Sequence, residues 1–334
     1  MRNTNSFFKQ KLLQRFCKLL EGLFDPAMSS TPSNASISDT CLRKTHEFFP
    51  IQSFDNSEIV YLHMLFDKII GQQHLINHLK SSADNGRIPH AQLFVGKEGS
   101  GALATAIAYA RYILCASSKE VDSCHIKCEK LVHPDLHFAF PVAPNNKVKK
   151  HPVSSLFLDD WRSFVKAQPY GNLFNWFQHI GIENKQGQIG VDEAEQIVKS
   201  LQLKSYEGGY KVMIIWHAEK MNTSAANKLL KLLEEPPEKT VFILVAENEE
   251  QIINTILSRC QLLHFPVLSE KDIADTLIAE EESFHAEASK IAHQAEGNYN
   301  KALHILRHDS NDLIFEKWFI LWVRNAFKAK GNAA

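Results

Sequence analysis

The run Gln92-Leu93-Phe94-Val95 passes directly into Gly96-Lys97-Glu98-Gly99-Ser100-Gly101, and a helical pattern follows from Ala102 to Leu114. A short apolar strand, a glycine turn and a helix in that order favour a crossover to a parallel neighbour, since a tight hairpin is no longer available to the chain. Apolar runs at Leu136 to Pro141, Lys211 to Trp216 and Val241 to Ala246 read as further strands, with helices at Val191 to Leu201 and Ser224 to Leu233 between them. Strands alternating with helices predict an α/β fold, a parallel sheet flanked by helices on both faces.

The helix from Ser224 carries Ala226, Leu229, Leu230 and Leu233 on one side and is stopped by Pro236-Pro237. Past Phe265-Pro266 the strand pattern ceases. Ser269 is placed to cap a helix running to about Glu281, a second ends near Gly297, and a third covers Lys301 to Arg307. The chain therefore divides into four stretches. Residues 1–63 read as a poorly ordered extension with Met64 as a natural start, and residues 64–266 as the α/β domain. Residues 267–308 read as a small helical lid, and 309–334 as the truncated start of a further helical domain carrying Leu313 to Lys328.

With 44% apolar and 22% charged residues the composition is globular, and 37 basic against 38 acidic residues leave a net charge of −1. A chain that grips nucleic acid alone carries a basic excess, because phosphate neutralisation supplies most of the affinity, so any DNA contact here is local or shared. No apolar run is long enough to span a membrane, and the basic amphipathic stretch from Phe7 to Phe24 is too interrupted for a secretory signal. The expected location is the cytoplasm.

Gly96 to Gly101 has the spacing of a phosphate-binding loop, but the two positions that do chemistry are changed. A working loop follows its last glycine with Lys, for the β and γ phosphates, and then Ser or Thr, for Mg²⁺; here these are Ala102 and Leu103. A tight turn before a packed helix explains the glycines equally well. The acidic residues that would hold Mg²⁺ and orient water at the end of a neighbouring strand are also replaced, since Lys211 to Ile215 ends in Trp216-His217. His217 reads as a structural histidine or a general base without a partner.

Thr255-Ile256-Leu257-Ser258-Arg259-Cys260 and Leu229-Leu230-Lys231-Leu232-Leu233-Glu234-Glu235-Pro236-Pro237 make the sequence resemble clamp-loader subunits of the AAA+ class, and within them the delta-prime type of bacterial DNA polymerase III. Ile69-Ile70-Gly71-Gln72, His90-Ala91-Gln92-Leu93-Phe94 and His133-Pro134-Asp135 follow in the order that family shows. The resemblance implies a subunit with a dead nucleotide site and a retained arginine finger, Arg259, flanked by Ser258 and Cys260. Gly297-Asn298-Tyr299-Asn300-Lys301-Ala302-Leu303 stands where active relatives have a second sensing arginine, and that position is Asn300. The implied chain binds no ATP and is no enzyme in isolation, but a component of the polymerase III holoenzyme. The implied partners are the ATPase (gamma/tau) subunits, the delta subunit, the sliding clamp and primer-template DNA, with no membrane, and residues 309–334 would open the collar that holds the ring. The rival reading is an ATP-hydrolysing motor in which Lys97 replaces the missing lysine.

Six cysteines are too few for a disulfide scaffold, and three cluster at Cys115, Cys124 and Cys128. The family commonly carries a zinc module of four cysteines. Eight residues separate Cys115 from Cys124 and three separate Cys124 from Cys128, with no fourth cysteine near. Tetrahedral zinc needs another ligand, for which His133 is the candidate and His125, next to Cys124, is awkward. The other reading is a metal-free loop with three reduced thiols. A zinc-dependent DNA-binding module would need that fourth ligand and a basic face.

Overall fold

The computed structural model describes residues 66–116, 118–280 and 287–306. The N-terminal extension and the Leu313 to Lys328 helix lie outside the described residues. Five strands, β1 (Ala91–Gly96), β2 (Leu136–Ala139), β3 (Lys211–Trp216), β4 (Thr240–Ala246) and β5 (Gln261–Phe265), form one sheet in the order β2-β3-β4-β1-β5. Every neighbouring pair is parallel, with Leu93 opposite Leu244, Phe94 opposite Leu263 and Ile214 opposite Ile243.

The helices of the α/β part are α1 (Gln73–Asp84), α2 (Ala102–Ala116), α3 (Val121–Glu129), α4 (Leu158–Ala167), α5 (Leu173–Ile180), α6 (Val191–Gln202), α7 (Thr223–Glu234) and the single turn α8 (Asn254–Leu257). The apolar residues of the sheet separate by side, as period-2 alternation requires. Phe94, Ile214, Ile243 and Trp216 pack with α2, α4 and α5, whereas Leu93, Met213, Ile215, Phe242 and Leu244 pack with α6 and α7. All residues of β3 and β4 are buried, which is why these strands read as unbroken apolar runs. Lys211 is the exception in kind. Its ammonium donates to the carbonyls of Leu201 and Leu203, which lets a cation lie inside the sheet edge, and burial lowers its pKa.

Strand β5 is absent from the pattern reading above, which names no strand between Ala246 and Phe265. It is an edge strand with only Leu263 and Phe265 buried, so two inward residues are the whole signal. Asn222 caps α7 by accepting the Ala225 N–H at 2.8 Å. After β5 come α9 (Glu270–Glu280), α10 (Ala288–Ala295) and α11 (Tyr299–Leu306). Ser269 accepts the Asp272 N–H at 3.0 Å, the cap that the sequence places there.

Candidate nucleotide-loop and arginine site

The loop between β1 and α2 turns through Gly99 at φ 72° and Gly101 at φ 87°, a left-handed backbone that side chains strain to adopt. A Cβ on Gly101 would meet the Tyr170 ring at 2.9 Å, so that ring lies directly on the turn. The Tyr170 hydroxyl accepts the Ile70 N–H at 2.9 Å, and the ring meets Tyr299 of α11 edge-on at 5.1 Å. Burial raises the Tyr170 hydroxyl pKa, which leaves it neutral.

Polar contacts close the same space from the helical side. Glu98 Oε1 accepts Asn172 Nδ2 at 2.7 Å and Asn300 Nδ2 at 3.1 Å, and Asn300 also donates to Asn175 Oδ1 at 2.9 Å. Asn300, read from sequence as the lost sensing arginine, is buried and spent on these bonds. A volume of about 40 Å³ is left between the loop, Tyr170, Trp216, His217 and Glu247.

Trp216 does not face that space as a catalytic group. It packs on the aromatic cluster of Trp161 and Phe164, with ring centres 5.1 and 5.9 Å away. His217 is buried, its Nδ1 2.8 Å from Glu219 Oε1 and its Nε2 3.9 Å from Glu247 Oε1. Burial pushes the Glu247 carboxyl above the usual range against the pull of His217, and the Glu219 and Glu98 carboxylates push the same way. The two ends of the site that would face phosphate therefore carry carboxylates. Ala102 and Leu103 are buried at the start of α2, while Lys97 is exposed.

Arg259 follows α8 and is about a third exposed. Its Nη1 donates to Thr255 O at 2.8 Å and to Ser258 Oγ at 3.3 Å, and its Nη2 meets Glu234 Oε1 at 2.5 Å. Glu234 is the last residue of α7, so the two motifs that carry the family resemblance are joined by one ion pair. Ser258 Oγ donates to Thr255 O at 3.2 Å, and Cys260 is half-buried with its thiol pushed up by burial to about 11, so it serves packing in this fold. Sequence reasoning missed Tyr170, Asn172 and Asn175, which reach the loop only through tertiary folding.

The cysteine cluster departs from the expectation of reduced thiols or zinc ligands. Cys115 and Cys124 are bridged, because the end of α2 and the middle of α3 bring their Cα atoms to 5.5 Å, inside the bridging range. Cys128 remains a thiol 3.9 Å from each bridged sulfur, and burial pushes its pKa up to about 12. His133 Nε2 lies near Cys124 Sγ and the Glu207 carboxylate, all within 4.8 Å. Its Nδ1, however, accepts the Asp135 N–H at 3.1 Å, so a neutral ring carries its proton on Nε2, the nitrogen a metal would need. As folded, with two sulfurs joined and this tautomer held, the donor set does not fit a tetrahedral ion. The His133-Pro134-Asp135 motif has a structural task instead: Asp135 accepts the N–H groups of Tyr206 at 2.7 Å and Glu207 at 3.1 Å, fixing that loop beside α3.

A five-stranded parallel sheet, a glycine turn after β1 and an arginine ahead of β5 define an α/β chain of the AAA+ type. Residues 71–269, more than half of the sequence, match the family described as DNA polymerase III, delta subunit, and the chain belongs to that family. It is similar to the delta' subunit of DNA polymerase III from Bacillus subtilis (strain 168), 30% identical over 243 residues, covering 71% of this chain and 60% of that protein. It is also similar to the gamma subunit from Buchnera aphidicola subsp. Acyrthosiphon pisum, 27% identical over 253 residues, covering 74% of this chain and 59% of that protein. A delta' subunit from Yersinia pestis is 40% identical over 90 residues, 27% of this chain and 26% of that protein. The chain thus spans no more than about 60% of the length of these relatives.

Proposed function

We propose that this chain is a non-hydrolysing, delta-prime-like subunit of a DNA polymerase III clamp loader that offers Arg259 to ATP held on an adjacent gamma/tau-type subunit. The observation that carries the reading is the state of its own loop. About 40 Å³ remains where ligand pockets have roughly 300 to 1,000 Å³, and Tyr170 sits on the last glycine. The loop lacks the lysine and hydroxyl that bind phosphate and Mg²⁺, and Glu98 and Glu247 line the space with negative charge.

The finger is physically separate from that loss. A guanidinium placed against a γ-phosphate from outside stabilises charge spreading over its oxygens, worth on the order of 10³ to 10⁵ in rate for a trans-acting finger. Arg259 is exposed enough to be reached, and Thr255 O and Ser258 Oγ hold it at the surface. The chain then contributes interface contacts and one cation, while the hydrolysing apparatus belongs to its neighbour. The delta subunit, the sliding clamp and primer-template DNA complete the proposed assembly, with DNA held by the pooled field of the ring.

A thermal melt of the full chain with and without saturating Mg-ATP tests the dead loop. An unmoved melt is expected. Ligand at 100 times its dissociation constant adds about 2.7 kcal/mol, so a shift of several degrees would overturn the proposal in favour of an ATP-hydrolysing motor.

A further inference from the structure

At the β2 edge of the sheet lies a cavity of about 290 Å³, far larger than the space left at the glycine loop. It is walled by Leu136 and Phe138 of β2, by Ile197 of α6, and by Met213 of β3, all buried. Glu193, in the first turn of α6, also lines it and is 3% exposed. Its Oε2 accepts the Ser154 N–H at 2.6 Å, and no cation pairs with it among the described residues. A buried carboxylate with one hydrogen bond and no countercharge is costly, and a bound cation would relieve that cost.

The cationic side chain that lines the cavity does not supply the charge. Arg162 of α4 donates from Nε to Leu131 O at 3.0 Å and from Nη1 to Asp159 Oδ1 at 2.8 Å, so it is bound and neutralised at the rim. His137, also lining the cavity, has its pKa lowered by burial and is neutral at pH 7. His133 lines the far wall and is held through Nδ1 by Asp135 N–H. Glu193 is therefore the one uncompensated charge facing the space, and the remaining walls are chiefly hydrocarbon. An anionic ligand meets a carboxylate there, and a purely apolar one leaves that carboxylate unpaired.

We propose that the β2-edge cavity binds an alkylammonium or guanidinium group on a short apolar stem, with the cation on Glu193 and the stem against Leu136, Phe138, Ile197 and Met213. A volume near 290 Å³ is at the lower bound for small-molecule pockets and suits one such group rather than a large ligand. The same chemistry comes from two sources, a free amine or the lysine or arginine side chain of an extended segment laid along the edge strand β2.

The test titrates the full chain with n-butylammonium, with n-butanol as the uncharged control at matched ionic strength, and follows thermal melting and tryptophan fluorescence. Saturable stabilisation by the amine and none by the alcohol is expected, with affinity at least tenfold lower in Glu193→Gln, which keeps an acceptor for the Ser154 N–H. Ser200→Met fills the cavity without touching Glu193 and is expected to abolish binding while the chain still melts cooperatively. A capped lysine-centred pentapeptide forms the second arm. Binding tenfold tighter than the free amine assigns the site to a partner segment, and equal or weaker binding assigns it to a small amine. No saturable binding of either probe, or equal binding by wild type and both variants, overturns the proposal.

Discussion

Glu234, the last residue of α7, holds Arg259 by a 2.5 Å contact from Oε1 to Nη2 while Thr255 O takes Nη1. Both partners are substantially exposed, so the pair contributes little to folding, in the range of 0 to roughly 1 kcal/mol for surface pairs. Its effect is on direction, since the guanidinium has one remaining face for a phosphate. Arg259→Ala is expected to leave the melt of the chain within about 1 °C of wild type. In a loader reconstituted with a gamma-type subunit, it should slow single-turnover ATP hydrolysis at the neighbouring site on the order of 10³-fold or more. A rate equal to wild type would remove Arg259 from the mechanism.

Glu234→Gln separates positioning from charge. The variant retains a hydrogen-bond acceptor but loses the anion that competes with phosphate for the guanidinium. Hydrolysis is expected to persist, with the salt dependence of assembly altered, because an exposed ion pair is screened at high ionic strength. Stopped turnover in this variant would make the carboxylate itself part of the chemistry.

Tyr170→Ala removes a buried ring from the glycine loop and leaves the Ile70 N–H without its partner. Large-to-small aromatic changes in cores cost about 3 to 5 kcal/mol, so the melt should fall by roughly 6 to 15 °C. The enlarged space still lacks the lysine and hydroxyl and still has Glu98 and Glu247 on its walls, so Mg-ATP should not restore the loss. Recovery of the melt on adding Mg-ATP would show that Tyr170 alone keeps nucleotide out.

These relationships explain what the sequence revealed and what it hid. Strands β3 and β4 are legible because every residue in them is buried, and the loop glycines are legible because a left-handed turn is a local demand. Arg259 stands out through its triplet and Glu234 through its motif, but their pairing spans α7 to β5 and has no local signature. Tyr170 is hidden for the same reason: its hydroxyl bond to Ile70 joins residues 100 apart. The cysteine bridge was hidden by a spacing that also suits metal ligands, and only the approach of α2 to α3 distinguishes the two.

Glu193 gives a stability profile with a definite sign. Burial holds its carboxyl at about 7, above the ordinary 4.5, with the Ser154 N–H opposing that shift. Below pH 4.5 the group is protonated in both states, and between about 4.5 and 7 the folded chain keeps a proton that the unfolded chain has released. Its contribution is therefore fully present in acid and is lost as pH rises to about 7, by a few kcal/mol in order of magnitude. Comparing wild type with Glu193→Gln over this window should show the difference in stability moving in favour of the variant as pH rises, and a difference that stays flat would mean that the carboxylate is solvated.

The cysteine cluster makes the last test a chemical one. Cys115 and Cys124 are joined, while Cys128 is buried with its thiol pushed up to about 12, so at neutral pH it is a protonated and unreactive group. Alkylation of the folded chain without reductant should leave Cys128 unmodified, and unfolding should expose it while Cys115 and Cys124 stay linked in one peptide lacking two thiol hydrogens. Reduction should then label all three and lower the melting temperature, since the bridge closes a loop of 9 residues in sequence between α2 and α3. If the chain instead purifies with one zinc per molecule and all three sulfurs become alkylated only after chelation, the thiolates belong to a metal site, His133 must turn its Nδ1 away from the Asp135 N–H, and the bridge is not the resting state.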